Sequence, residues 1–261
     1  VCDGDDENCD GIVDEEDGWL CPSHGGGDTR IFVGGSARAG LGRGMAVGDV
    51  DGDGVTDLAL GAYQAVTGGS RDRQGAAFVV YGDQLGTLPD EVALWQAGVT
   101  ANRYSGQTSA IWGSDDSALG SALALVDLDH DGDDELVVGA YGEASNAGAV
   151  FVFDEADLGV TSSPSLASAQ LWGVASSRAG SALANAGDLI GDGSEDLVVA
   201  ANEWDAGTGR IYVVAGTRVT GLAGPMNLDD AGSAYEGLLL NSEQPGDGLG
   251  GDLSSVGSFL H

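Results

Sequence analysis

The nine residues Asp49-Val50-Asp51-Gly52-Asp53-Gly54-Val55-Thr56-Asp57 place carboxylates at positions 1, 3, 5 and 9 of one loop, with glycine at position 6. Alternate carboxylates on a turning backbone converge on a point. A converging set of oxygens suits a hard cation with six to eight ligands, which is Ca²⁺ rather than the strictly octahedral Mg²⁺. Val55, at position 7, adds a backbone carbonyl to the candidate set Asp49, Asp51, Asp53 and Asp57. Residue 60 is Leu60, where an EF-hand loop closes with glutamate at position 12. The flanks Gly44-Met45-Ala46-Val47-Gly48 and Leu58-Ala59-Leu60-Gly61-Ala62 are short, apolar and bounded by glycine, so they read as strands. The sequence therefore predicts a cation-clamped β-hairpin.

The pattern recurs. Asp127, Asp129, Asp131 and Glu135 repeat positions 1, 3, 5 and 9, with Asp133 at position 7. Asp188, Asp192, Ser194 and Asp196 form a third copy at positions 1, 5, 7 and 9, in which Ile190 stands at position 3. Near the start, Asp6, Asn8, Asp10, Ile12 and Asp14 fill positions 1, 3, 5, 7 and 9 with Gly11 at position 6. The three inner loops start at residues 49, 127 and 188, which leaves 78 and then 61 residues between successive starts. The extra length falls around residues 87–104 and reads as an insertion.

Each inner loop sits in a longer repeat. Leu41-Gly42, Leu119-Gly120 and Ala179-Gly180 precede the loops, and Leu249-Gly250 opens a fourth copy. Small-residue corners follow them: Gly61-Ala62-Tyr63, Gly139-Ala140-Tyr141 and Ala200-Ala201-Asn202. Third strands are expected at 76–81, 148–153 and 209–214, and fourth strands at 110–113 and 170–173. Four short strands in a unit of roughly 60 residues make one blade of a β-propeller. These residues resemble FG-GAP repeats, the blades of the integrin α-subunit propeller and its bacterial relatives, over residues 29–261. The resemblance implies an all-β partial propeller of three full blades and part of a fourth from a seven-bladed ring, with structural Ca²⁺ in the hairpin between the first two strands of a blade. It departs from the family at Ile190 and in the fourth copy, where Gly257-Ser258 replaces an expected aspartate.

Residues 1–28 read as a separate acidic module ending in the linker Gly25-Gly26-Gly27. A segment this short buries little apolar surface, so metal and disulfide would have to hold it. Cys2-Asp3-Gly4 through Asp14-Glu15 resembles the CDGxDNDCDGxxDE motif of bacterial secreted proteins (the MopE type), which is similar to thrombospondin type-3 repeats. Copper binding is implied by that resemblance, whereas an oxygen-only ligand set favours Ca²⁺. Cys2, Cys9 and Cys21 make an odd count, which points to a partner upstream of Val1 or to one free thiol. The chain starts inside an acidic motif and stops inside a repeat, so it is expected to be a piece of something longer.

Charge narrows the partners. Asp and Glu number 42 against 9 arginines and no lysine, a formal charge of −33. Such a surface repels nucleic acid and anionic membranes. No apolar run of about 18 residues is present to cross a bilayer. Disulfides and millimolar Ca²⁺ both point to an extracellular or cell-surface location. No nucleophile elbow, phosphate-binding loop or His-Glu zinc helix occurs, so no enzyme is expected. Trp112 and Trp172 hold matching places and are expected to pack between blades, His130 points outward, and Trp95 and Tyr104 in the insertion are the candidates for a binding surface. The expected function is an adhesion or ligand-binding scaffold for an unidentified protein or glycan, joined to further blades or domains of a longer chain. The alternatives are an accessory propeller of a secreted enzyme and a lectin-like glycan binder.

Overall fold

The computed structural model describes residues 30–35, 38–66, 73–95, 104, 106–159, 162–220, 224–230 and 237–254. The acidic N-terminal segment, with its three cysteines and the candidate ligands Asp6, Asn8, Asp10, Ile12 and Asp14, lies outside the described residues.

After a short strand β1 (Ile31–Val33), the chain builds three antiparallel meanders of four strands each, the second widened to a five-stranded sheet by a parallel edge strand, β14 (Met226–Asn227). The first holds β2 (Leu41–Gly48), β3 (Asp57–Ala62), β4 (Ala76–Val80) and β6 (Thr108–Trp112), with β5 (Glu91–Ala93) in the connection between β4 and β6. The second holds β7 (Leu119–Val126), β8 (Glu135–Ala140), β9 (Ala149–Phe153) and β10 (Ala169–Trp172). The third holds β11 (Ala179–Asn185), β12 (Leu197–Ala201), β13 (Arg210–Val214) and β15 (Gly237–Asn241). Each is a meander whose first hairpin carries one acidic loop. The architecture is all-β, a partial propeller of repeated blades.

Strand composition follows from packing on both faces. β8 reads Glu-Leu-Val-Val-Gly-Ala and is buried throughout. Alternate residues serve opposite neighbours: Leu136 and Val138 join Ala59, Val79 and Ile111 of the first blade, while Val137 joins Leu197, Val199 and Val214 of the third. A continuous apolar run is what a doubly covered strand requires.

Glycines set how closely the blades approach. A Cβ on Gly61 would lie 2.0 Å from the carbonyl oxygen of Gly120, and one on Gly139 would lie 2.2 Å from that of Gly180. The Gly of the corner thus faces the Gly of the next blade's opening pair, backbone to backbone. Gly120 also has φ +80°, and the register of β7 on β8 shifts between Leu119 and Leu123, as it does in the equivalent hairpins. The small residues in both halves of the repeat are steric requirements of blade spacing.

The connection between third and fourth strands reaches back to the preceding blade. Ser162 pairs in parallel with Ile111, and β14 (Met226–Asn227) pairs in parallel with β10. β5 pairs in parallel with β1 in the same way, so β1 takes the place of a fourth strand ahead of the first blade. The expected insertion is therefore an enlarged copy of this connection. Its apolar residues Leu88, Val92, Leu94 and Trp95 cover the outer part of the first blade. Trp95 is only 1% exposed and stacks on Phe78, with ring centroids 5.1 Å apart. This corrects its reading as a binding-surface aromatic: the ring is core, and Tyr104 is half-buried against the same cluster. Trp172 packs on the interface between the first two blades, edge-on to Phe151, as expected of a repeated tryptophan. Trp112 instead packs in the cluster with Phe78 and Trp95.

The fourth copy begins as its predecessors do, with a single parallel bridge from Leu249 to Gly209 matching Leu119 to Gly75 and Ala179 to Gly148. No strand forms over 251–254, and the residues after them lie outside the described residues.

Candidate metal centre

The first loop is closed by its own side chains. Asp51 Oδ1 accepts from the Asp53 N–H at 3.3 Å, Asp53 Oδ1 from the Val55 N–H at 2.7 Å, and Asp49 Oδ2 from the Gly54 N–H at 2.8 Å. Each bond bends the chain by one step, and together they turn three carboxylates inward. Carboxylate oxygens of Asp49, Asp51 and Asp53 all lie within 4.8 Å of one another. Asp49 Oδ1 is buried and has no hydrogen-bond partner. Asp57 stands behind the trio, with Oδ2 accepting from the Val50 N–H at 2.9 Å and Oδ1 from the Gly82 N–H at 2.8 Å. Burial, followed by the neighbouring carboxylates, raises the pKa of Asp51. Burial also raises that of Asp57.

The second loop repeats this geometry. Asp129 Oδ1 accepts from the Asp131 N–H at 3.3 Å and Asp131 Oδ1 from the Asp133 N–H at 3.1 Å. Asp127, Asp129 and Asp131 form the second trio within 4.8 Å, and Asp127 Oδ1 is likewise buried without a partner. Glu135 Oε2 accepts from the Leu128 N–H at 2.8 Å. Burial pushes the Glu135 carboxyl up to about 8. His130 holds the left-handed position 4 with φ +63°, and its side chain is exposed, as expected.

The third loop is different. With Ile190 at position 3, the Asp192 N–H turns to Asp188 Oδ1 at 3.0 Å. Asp188 also accepts from the N–H groups of Gly191 and Gly193, at 2.7 and 3.1 Å. Asp192 Oδ2 takes the Thr217 hydroxyl at 2.6 Å. Asp196 keeps its place behind the loop, accepting from the Ile190 N–H at 2.6 Å, while its Oδ1 is buried without a partner. Ser194 is buried at position 7. Among the described residues, the third loop presents no trio of carboxylates.

Position 8 carries a contact that spacing alone does not reveal. Asp134 Oδ2 accepts from the Asp49 N–H at 2.9 Å, and the Asp134 N–H donates to the Asp49 carbonyl at 2.6 Å. Glu195 Oε2 accepts from the Asp127 N–H at 3.1 Å, and the Glu195 N–H donates to the Asp127 carbonyl at 3.2 Å. Each pair joins one blade's loop to the next. Asp133 reaches the same neighbour: a Cβ on Gly52 would lie 2.1 Å from Asp133 Oδ1.

Comparison with known proteins matches the same elements. The FG-GAP repeat model matches residues 41–80 and 119–153, which are the first three strands of the first and second blades. The fold is an integrin-like FG-GAP fold. The chain is 30% identical to integrin alpha-5 of Xenopus laevis over 178 residues, 65% of this chain and 15% of that protein. It is 40% identical to integrin alpha-3 of Cricetulus griseus over 99 residues, 36% of this chain and 9% of that protein. The chain thus spans about a seventh of the length of the first relative and less of the second. Among the described residues, no helix is long and apolar enough to cross a membrane.

Proposed function

We propose that this chain is part of a calcium-stapled propeller that serves as an extracellular or cell-surface scaffold for adhesion or ligand binding, and that it is not an enzyme. The reading rests above all on the two trios, each with one buried carboxylate oxygen that lacks a partner. A buried acceptor left unpaired is costly, and a bound cation removes that cost. These residues fit Ca²⁺. Asp49, Asp51 and Asp53, with the Val55 carbonyl, would hold it in the first loop. Asp127, Asp129, Asp131 and the position 7 residue Asp133 would do so in the second. Asp57 and Glu135 would complete each set from behind. When bound, the ion neutralises the converging carboxylates and cross-links the hairpin. The N-terminal set Asp6, Asn8, Asp10, Ile12 and Asp14 enters this proposal on its spacing alone.

The ligand-binding part of the reading is supported by likeness to integrin α chains. It assigns the surface opposite the loops, where second strands turn into third strands. Two such turns are strained, with left-handed Ala144, Ser145 and Asn146 in one and Asp205 and Ala206 in the other. Strained turns of this kind collect at functional surfaces. Trp204 begins the second of them, with the Arg210 guanidinium 3.5 Å from its ring centroid. Further blades of a longer chain would extend the same surface.

Calorimetric titration of the chelator-treated chain tests the cation reading. Two Ca²⁺ sites in the described loops are expected, plus one in the N-terminal segment, with Mg²⁺ far weaker. Losing one site in Asp51→Ala and another in Asp129→Ala would support the assignment. Full stoichiometry in both variants would refute it.

A further inference from the structure

The carboxylates at position 8 have no place in the cation sets, yet they make the same contact at both blade junctions. In each, the side chain caps the N–H of the first ligand residue of the preceding loop, and the main chain returns a bond to that residue's carbonyl. Asp134 thereby brackets Asp49, and Glu195 brackets Asp127. At the second junction Asn185 Nδ2 holds Glu195 Oε2 at 2.5 Å and also donates to the Leu125 carbonyl at 3.2 Å, which fixes the Glu195 carboxylate across the interface. At the first junction the fit is close: a Cβ on Gly48 would lie 2.1 Å from Asp134 Oδ2. The residue bracketed is the one whose buried oxygen lacks a partner in each loop, Asp49 Oδ1 and Asp127 Oδ1.

We infer that Asp134 and Glu195 are positioning residues that act across the junction: each fixes the first ligand of the preceding blade's loop, so that a loop's affinity for its cation is set in part by the next blade. The affinity part of this inference rests on the cation reading above. The bracket itself does not. Fixing Asp49 from outside its own loop removes freedom that the ion would otherwise have to restrain on binding. Thr56 occupies position 8 of the first loop, so a blade packed ahead of it would receive no such carboxylate.

The test is amide hydrogen exchange on the full chain, read separately for the 49–57 and 127–135 loops, without metal and across a Ca²⁺ titration. Asp134→Ala is expected to weaken Ca²⁺-dependent protection of the first loop by about tenfold, the size of one charge-assisted hydrogen bond. The second loop should stay within about twofold, although Asp134 belongs to it. Asp134→Asn, which keeps an acceptor oxygen, should recover most of the loss. Glu195→Ala should shift the second loop and spare the first, and it stands in if Asp134→Ala does not fold. Equal shifts in both loops, or none in the preceding loop, would overturn the proposal. If Ca²⁺ protects neither loop in the parent chain, the cation reading fails. The bracket is then judged by the metal-free Asp49 and Asp127 amides, whose protection should fall in the matching variant and whose constancy would end it.

Discussion

At the residue scale, one side chain separates a loop that gathers carboxylates from one that satisfies itself. Ile190 offers no acceptor to the Asp192 N–H, so Asp188 spends both oxygens on its own loop's backbone. Ile190→Asp should restore the bond that Asp51 and Asp129 make, release Asp188 and add one Ca²⁺ to the calorimetric stoichiometry. An unchanged stoichiometry would show that position 3 is not what limits this loop. Glu135 gives a second prediction. Buried behind its loop, it keeps its proton to about pH 8, while an ordinary glutamic acid releases it near 4.5. The metal-free fold therefore holds a proton that the unfolded chain has lost, and its stability falls as pH rises from about 4.5 towards 8. Chelator-treated protein should melt higher at pH 5 than at pH 8, and Ca²⁺ should remove or reverse that slope. Melting that rises with pH in chelator would contradict this assignment.

At the element scale, the hairpin is a local object and was legible in the sequence. Its ligands fall within nine consecutive residues, and its strands carry largely apolar runs. The third-to-fourth connection was not legible. Its parallel pairing with the preceding blade is made by main-chain atoms and leaves no side-chain signature at Ser162 or Met226. For the same reason Trp95 read as part of an exposed insertion when it is core. The position 8 acids were hidden by their neighbours, because Asp133-Asp134-Glu135 reads as one acidic run although its members face different partners. Glycines offer a sharp element-scale prediction. Gly120→Ala drives a Cβ to within 2.2 Å of the Ala76 carbonyl at a positive φ, and should cost about 2–5 kcal/mol. Gly54→Ala meets nothing within 4 Å and should cost only the backbone term, about 1–2 kcal/mol. Urea midpoints of the two variants in Ca²⁺ would rank them, and equal losses would mean that the blades can shift apart without penalty.

At the scale of the whole molecule, the repeats explain which faces are bare. Met45 and Val47 of β2 are 62% and 67% exposed, whereas Leu123 and Leu125, their counterparts on β7, are buried under the first blade. Leu238 and Leu240 of β15 are about half exposed, whereas Ala169 and Leu171 on β10 are covered by the third blade. Among the described residues the two bare faces are complementary by repetition, so a head-to-tail contact between copies is the expected way to cover them. Light scattering in saturating Ca²⁺ should show self-association that rises with concentration and is reduced in Met45→Ser/Val47→Ser. A monodisperse compact monomer would show that these faces are covered within the chain.

Cation stapling of the blades is the claim on which the rest depends, and thermal unfolding of the full chain in chelator, Ca²⁺ and Mg²⁺ tests it most directly. Two sites, each at tenfold excess over its dissociation constant, contribute about 1.4 kcal/mol apiece, which corresponds to a rise of roughly 5–10 °C for a chain of this size. That rise is expected in Ca²⁺, and a much smaller one in Mg²⁺. Equal midpoints in chelator and Ca²⁺ would contradict it.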